Sequence, residues 1–292
     1  MKIAVVSHTP IDHLQNNGIE TVTVGGPTCY SGLTIRSFSH DVKIVTKVGK
    51  DFEYKDVLMK KGLSISDSCV SDKPTTRFKI VKDGNKRKLF LLARCADITS
   101  ADVNIDTDAY IVSPIINEVN TDVIAEISKH TSFVFVDPQG FVRKVRDDGS
   151  CYIDKTTIDF SQLKIDVIKI DREEGHALTG SHGIDALYKL HVNTAILTVN
   201  NRTLMLHNQR LYEIISDFVD VNDSTGAGDI LAGAYTSAFM KNKDAQWALC
   251  YGVAAAVTAL KTNRIGIEKI PDRKDVEEYA SKLHNTLRIL TV

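Results

Sequence analysis

Apolar positions along the chain fall into short runs separated by polar stretches, and the spacing of those runs predicts the elements. Residues 3–7 form a short apolar run that ends polar, the pattern of a strand buried on both faces of a parallel sheet. Residues 42–48 read as another strand, and 55–61 carry helical periodicity. From residue 109 the alternation becomes regular: strand 109–112, helix 119–129, strands 133–136 and 167–170, a helix from Glu173, and strand 194–199. Strands alternating with helices predict a doubly wound, mostly parallel α/β sheet with right-handed crossovers. Residues 244–261 read as a long helix rich in Ala and Gly, and 271–291 as a terminal amphipathic helix.

Two segments interrupt the parallel pattern. Residues 18–24 alternate and are β-rich, and 75–92 give two β-runs joined by Lys82-Asp83-Gly84-Asn85. Asp-Gly between alternating runs predicts a hairpin, so a small antiparallel sheet drawn from residues 18–25 and 75–95 is expected beside the main one. Taken alone, the hairpin is equally compatible with surface decoration. No internal repeat or long linker divides residues 1–292, which read as one domain.

The chemistry concentrates in Asn222-Asp223-Ser224-Thr225-Gly226-Ala227-Gly228-Asp229, ahead of a small-residue helical run. Two glycines here predict a tight turn that opens a helix, where backbone N–H groups lack partners and carry partial positive charge. The amides of Gly226, Ala227, Gly228 and Asp229 are candidates for an anion cradle. An acid beside such a cradle points to Asp229 as the base that deprotonates a hydroxyl attacking a phosphoryl group. The plainer reading is a capped helix whose acids favour the dipole.

Composition narrows the rest. With a net charge of -1 and charges spread evenly, the chain has neither a basic stripe nor a polybasic tail, which argues against nucleic-acid or membrane-surface partners. Five dispersed cysteines support neither a disulfide framework nor a zinc site. Met-Lys runs straight into an apolar strand, and no window approaches a membrane span, so a cytoplasmic protein is expected.

Asp-Ser-Thr-Gly-Ala-Gly-Asp resembles the C-terminal signature of the ribokinase-like (PfkB) carbohydrate kinases. The resemblance implies an ATP- and Mg²⁺-dependent kinase for a small sugar, polyol or nucleoside, with Asp229 as base and Gly226, Ala227 and Gly228 as its anion hole. It implies a substrate-holding role for Asp12, otherwise a turn residue, and for Gly25-Gly26. The family's Asn after that pair is missing, and Thr28, Cys29 and Tyr30 stand in its place. Asp171-Arg172-Glu173-Glu174 resembles Asn-x-x-Glu, so Glu174 would organise Mg²⁺ through water; the same residues also read as a helix N-cap. Thr198, Asn200 and Asp223 match the nucleotide-binding positions, but Asn200 and Thr203 replace the loop glycines. The Ala- and Gly-rich helix reads either as an adenine wall or as ordinary helix packing. The resemblance implies that the small antiparallel sheet is a β-lid over the active site, and its unprotected edge suggests a possible lid-to-lid homodimer.

Within the family, Gly84-Asn85-Lys86-Arg87-Lys88-Leu89 with Arg94, and Val136-Asp137-Pro138-Gln139-Gly140-Phe141-Val142-Arg143, are similar to inositol kinases. Gln139 and Arg143 would offer several donors to a ring bearing hydroxyls all round, so myo-inositol is the expected acceptor. Ribose, 2-keto-3-deoxygluconate or a nucleoside is the alternative within the family. A catalytically silent nucleotide- or sugar-binding sensor is the alternative of another class, against which an intact Asp229 argues.

Overall fold

The computed structural model describes residues 1–16, 18–83, 86–156, 158–220 and 223–291. Strand β1 (Lys2–Val6) is apolar almost throughout and fully buried from Ile3 to Val6, which requires cover on both faces. It pairs in parallel with β4 (Asp41–Val45) on one side and β9 (Ala109–Val112) on the other. β10 (Val134–Val136), β13 (Val167–Asp171) and β14 (Thr194–Val199) extend the parallel array. An antiparallel edge of β15 (Arg202–His207), β16 (Arg210–Ile215) and β17 (Arg288–Leu290) completes nine strands in the order β17-β16-β15-β14-β13-β10-β9-β1-β4.

Alternate residues of each strand enter opposite cores, as the strand period of two dictates. Ile3, Val5 and Ile111 pack with α1 (Pro27–Ser37), α7 (Ala227–Asn242), α8 (Ala245–Lys261) and α9 (Arg273–Thr286). Ala4, Val6 and Val112 pack with α3 (Thr121–His130) and α6 (Ile184–Lys189), beside α5 (Arg172–Thr179). This is the doubly wound, mostly parallel α/β sheet expected from the run pattern. Smaller pieces are α2 (Lys55–Lys60), the pair β5 (Val48–Gly49) and β6 (Val70–Ser71), α4 (Gln139–Val142), and the hairpin β11 (Arg143–Val145) with β12 (Cys151–Ile153).

The second sheet has four strands in the order β3-β2-β7-β8: β2 (Ile11–Asn16), β3 (Ile19–Val24), β7 (Arg77–Asp83) and β8 (Lys86–Ala93). Its β2–β7 pair is parallel and the others antiparallel. Several sequence expectations need correcting. Asp12 lies on β2 and not in a loop; its run carries little β-propensity and is held as a strand by partners on both sides. The strand expected over 42–48 breaks at Val45, and β5 pairs elsewhere. The terminal helix stops at Thr286, and β17 follows it onto the edge of the main sheet. The turn Gly84-Asn85, and Asn222, lie outside the described residues. Among the described residues no helix is long and apolar enough to cross a membrane.

Candidate active site

The start of α7 sits beyond the C-terminal ends of the parallel strands, where open α/β sheets bind ligands. Gly226 caps it in the left-handed conformation, φ 81°, and a Cβ there would lie 2.5 Å from the Tyr30 ring. Glycine is therefore required twice over, by backbone and by space. The Ile230 N–H donates to Gly226 O at 2.9 Å, beginning the helix, and the Ala227 N–H donates to Ser224 O at 3.2 Å. Ala227 thus spends its amide inside the turn, which corrects its expected place in the cradle. The amides of Gly226, Gly228 and Asp229 have no acceptor among the described residues and stay open for an anion.

Asp229, 8% exposed, stands in the first turn of that helix. Burial, reinforced by Asp137, pushes its carboxyl up to about 7 against the pull of Lys169 and Arg143. Asp12 is 4% exposed, and burial raises its carboxyl to about 7 as well, with Arg87 opposing. Both acids line one cleft, roofed by Phe78, Ile80 and Leu89 of the second sheet, which is therefore a lid over the site. A Cβ on Gly25 would collide with Asp12 Oδ2, and one on Gly26 (φ 77°) with Pro10, so this glycine pair lets the chain pass close beside the acid. Gln139 and Arg143 reach the same cleft; the Arg143 guanidinium donates to Gln139 Oε1 at 3.0 Å and to Ile115 O, which orients the pair. Thr28 and Cys29 are buried in α1, and Tyr30 lines the cleft.

Lys169 was not anticipated. It donates to Asp137 Oδ2 at 2.7 Å, both residues being buried, and a Cβ on Gly228 would meet its Nζ at 2.9 Å. Burial favours the neutral amine, but Asp137 and Glu174 hold Lys169 well above its ordinary range. A positive charge therefore stands directly behind the open amides. The sequence did carry a signal, because a lysine inside the apolar strand Val-Ile-Lys-Ile must be paired if it is buried.

Glu174 closes a capping box at α5: Asp171 accepts from the N–H groups of Glu173 and Glu174 at 2.8 Å, and the Asp171 N–H donates to Glu174 at 2.7 Å. Burial raises the Glu174 carboxyl to about 8. Among the described residues no group of three His, Cys, Asp or Glu is arranged to hold a metal. With one oxygen committed to the cap, Glu174 fits Mg²⁺ only through water and beside added phosphate charge.

Of the remaining positions, Asn200 adopts φ 52°, so the residue that replaces a loop glycine still takes the left-handed turn. The Thr198 hydroxyl lies 3.5 Å from Ile170 O. The Asp223 carboxylate is occupied by Lys269 and by the Thr225 N–H. In α8 the small residues serve helix packing: a Cβ on Gly252 would lie 3.0 Å from Leu231 O of α7, and Ala254 and Ala255 are fully buried. Beside the cleft and sharing Arg87 and Arg143 with it lies a second cavity of about 560 Å³, to which Lys88 and Arg146 add further positive charge.

Comparison with known proteins agrees with this fold. The sequence profile of the pfkB family carbohydrate kinases matches residues 3–273. A pyrophosphate-dependent kinase in the ribokinase family, solved with a pyrophosphate analog and myo-inositol, superimposes with a TM-score of 0.81 at 19% identity, covering 95% of this chain and 99% of that one. Ribokinase from Thermotoga maritima gives 0.73 at 22% identity, covering 96% and 99%. A double mutant of the fructokinase from Vibrio cholerae O395, bound to fructose, ADP and a potassium ion, gives 0.75 at 15%, covering 96% and 98%.

Proposed function

The chain belongs to the pfkB family of carbohydrate kinases and is a phosphotransferase acting on a sugar or polyol hydroxyl, and from that premise we propose that it phosphorylates a cyclitol, myo-inositol, with ATP and Mg²⁺. The observation that carries the reading is Asp229, a buried carboxyl held near 7 beside three open amides and across the cleft from Asp12. In the mechanism Asp12, Gln139 and Arg143 hold the ring hydroxyls, and Asp229 takes the proton from the attacking one. The amides of Gly226, Gly228 and Asp229, with Lys169 behind them, receive the charge that develops on the transferring phosphoryl group. Mg²⁺, when bound, neutralises donor phosphate charge, with Glu174 holding it through water. Thr198 and Asn200 border the nucleotide, while the carboxylate of Asp223, the third expected nucleotide position, is taken up by Lys269 and the Thr225 N–H.

A screen of ADP release over polyols, ketoses, aldoses and nucleosides tests the assignment. The expected outcome is a kcat/KM for myo-inositol at least about tenfold above ribose, fructose 6-phosphate or adenosine, a gap of roughly 1.4 kcal/mol in transition-state binding. A panel led by ribose or a nucleoside refutes the cyclitol reading.

One observation favours a second reading of the donor. The cavity beside the cleft sets Arg87, Lys88, Arg143 and Arg146 against two carboxylates, Asp148 and Glu173, while the nucleotide loop lacks its glycines and the small residues of α8 are used in packing. Four cations against two carboxylates leave an excess of positive charge that suits a small polyanion such as inorganic pyrophosphate, the donor of the solved neighbour above. Supplying ATP and pyrophosphate separately and measuring inositol phosphate decides between them. The same family reading carries a lid-to-lid homodimer, supported by Ile19 and Val22, which are exposed on the edge strand β3.

A further inference from the structure

Lys269 ends the short turn Gly266–Lys269 and is 1% exposed. Its ammonium is met by three oxygens: the Asp223 carboxylate at 2.8 Å, the Asp223 backbone oxygen at 3.2 Å and the Thr225 backbone oxygen at 2.9 Å. All three belong to the segment that runs directly into Gly226. The ammonium also lies 5.9 Å from the centroid of the Tyr30 ring, the ring against which Gly226 is packed. Burial pushes the Asp223 carboxyl up, but Lys269 and the Thr225 N–H outweigh it and hold the group ionised, below its ordinary range.

A carboxylate and two main-chain carbonyls converging on one point form the kind of oxygen set that binds a hard cation. Here the cation is covalently part of the chain. The position of Thr225 gives this set a consequence for the site. In a continuous helix its oxygen, four residues back, would accept from the Asp229 N–H. It accepts from Lys269 instead, and the Asp229 amide remains open beside those of Gly226 and Gly228.

We propose that Lys269 is a tethered monovalent cation: it holds the Asp223–Thr225 segment so that the anion hole's amides point at the transferring phosphoryl group, and the enzyme needs no free monovalent cation. Lys269 is a positioning residue and touches neither substrate nor donor. The inference rests on the kinase reading for its effect on turnover, and on the geometry alone for its effect on cation binding. Removing the ammonium leaves two buried carbonyls and a carboxylate facing a vacated volume, which K⁺ or NH₄⁺ from solution matches in charge and ligand preference.

The test compares the unaltered enzyme, Lys269→Ala and Lys269→Met in buffers whose monovalent cation is K⁺, NH₄⁺ or tetramethylammonium. Wild-type kcat is expected to vary less than about twofold among the three, because no free cation enters the mechanism. Lys269→Ala in tetramethylammonium should lose about 10²-fold in kcat, the loss typical of a misaimed oxyanion donor, with acceptor KM little changed. K⁺ or NH₄⁺ should then restore at least about a tenfold share of that loss in a saturable manner. Lys269→Met fills the volume without the charge and should not be rescued. Melting temperature supplies a readout that needs no turnover: K⁺ should raise that of Lys269→Ala and leave the wild type unmoved. Activation of the wild-type enzyme by K⁺ overturns the proposal without any variant. So does a folded Lys269→Ala that keeps its kcat, or one that no cation rescues. If no acceptor is phosphorylated at all, the kinase reading fails, and the melting comparison still decides the cation site.

Discussion

A base must be ionised to act, and Asp229 is held where small changes of pH decide that. Burial sets its carboxyl at about 7 and that of Asp12 at about 7, so kcat/KM should rise with pH through that region and level off above it. Because two acids share the cleft, the profile reports the pair, and Asp12→Asn should leave a single ionisation. A profile flat from about pH 5.5 to 8.5 contradicts the assignment. The same shift has an opposite sign for stability. The native state binds more protons than the unfolded chain between the ordinary carboxylate value and about 7, so the contribution of Asp229 is present at low pH and lost as pH rises through about 7. Asp229→Asn should therefore cut kcat by about 10² to 10⁴ while stabilising the ligand-free protein near neutrality by roughly 1 kcal/mol or more. Kinetics and thermal melts of one variant check both; a variant keeping more than about a tenth of its kcat removes the role. Gly228→Val drives a side chain into Lys169 Nζ, a flexible group that can yield. It should lose about 10² to 10³ in kcat with an unfolding temperature near that of the wild type, and normal turnover would exclude the anion hole.

At the scale of elements, the site depends on how α5 and α7 begin. Helix α5 starts with a reciprocal cap between Asp171 and Glu174, which ties down the end of β13 immediately after Lys169. Asp171→Ala should cost about 0.5 to 2 kcal/mol in a denaturant titration, and Asp171→Asn much less, since Asn keeps the accepting oxygen. Equal losses in the two variants would mean that charge, not the cap, matters there. Helix α7 has no side-chain cap. Its opening amides are left for a ligand, and the surrounding carbonyls are taken by Lys269 and by the turn.

At the scale of the whole molecule, the lid closes the cleft and offers an exposed edge. Strand β3 is exposed over most of its length and carries Ile19 and Val22 at the surface. Edges of this kind are normally paired or charged, so light scattering should report a dimer that Ile19→Lys converts to monomer; a wild-type monomer at working concentration removes the lid-to-lid assembly. Much of this architecture was legible in the chain. Ile3 to Val6 and Thr194–Val199 are strands because short apolar runs of that length, bounded by polar residues, have few other ways to be buried. Gly226 was legible because a turn opening a helix needs it, Gly228 because it shares that turn's motif, and Asp229 because an acid there has few purposes. The β2 strand and the edge strand β17 were not, since their local propensity is weak and neighbouring strands impose their form. Nor were the partners of the buried cations. Lys169 meets Asp137 across 32 positions and Lys269 meets Asp223 across 46, separations at which the chain carries no local signal of partnership. The sequence by itself determined the succession of the central parallel strands and their helices, the turn with its glycines and the acid beside it, because periodicity and backbone sterics act over a few residues. Only the tertiary structure decided which charges stand behind that turn and how far burial raises its acid, because both depend on groups that folding alone brings together and on the water it excludes.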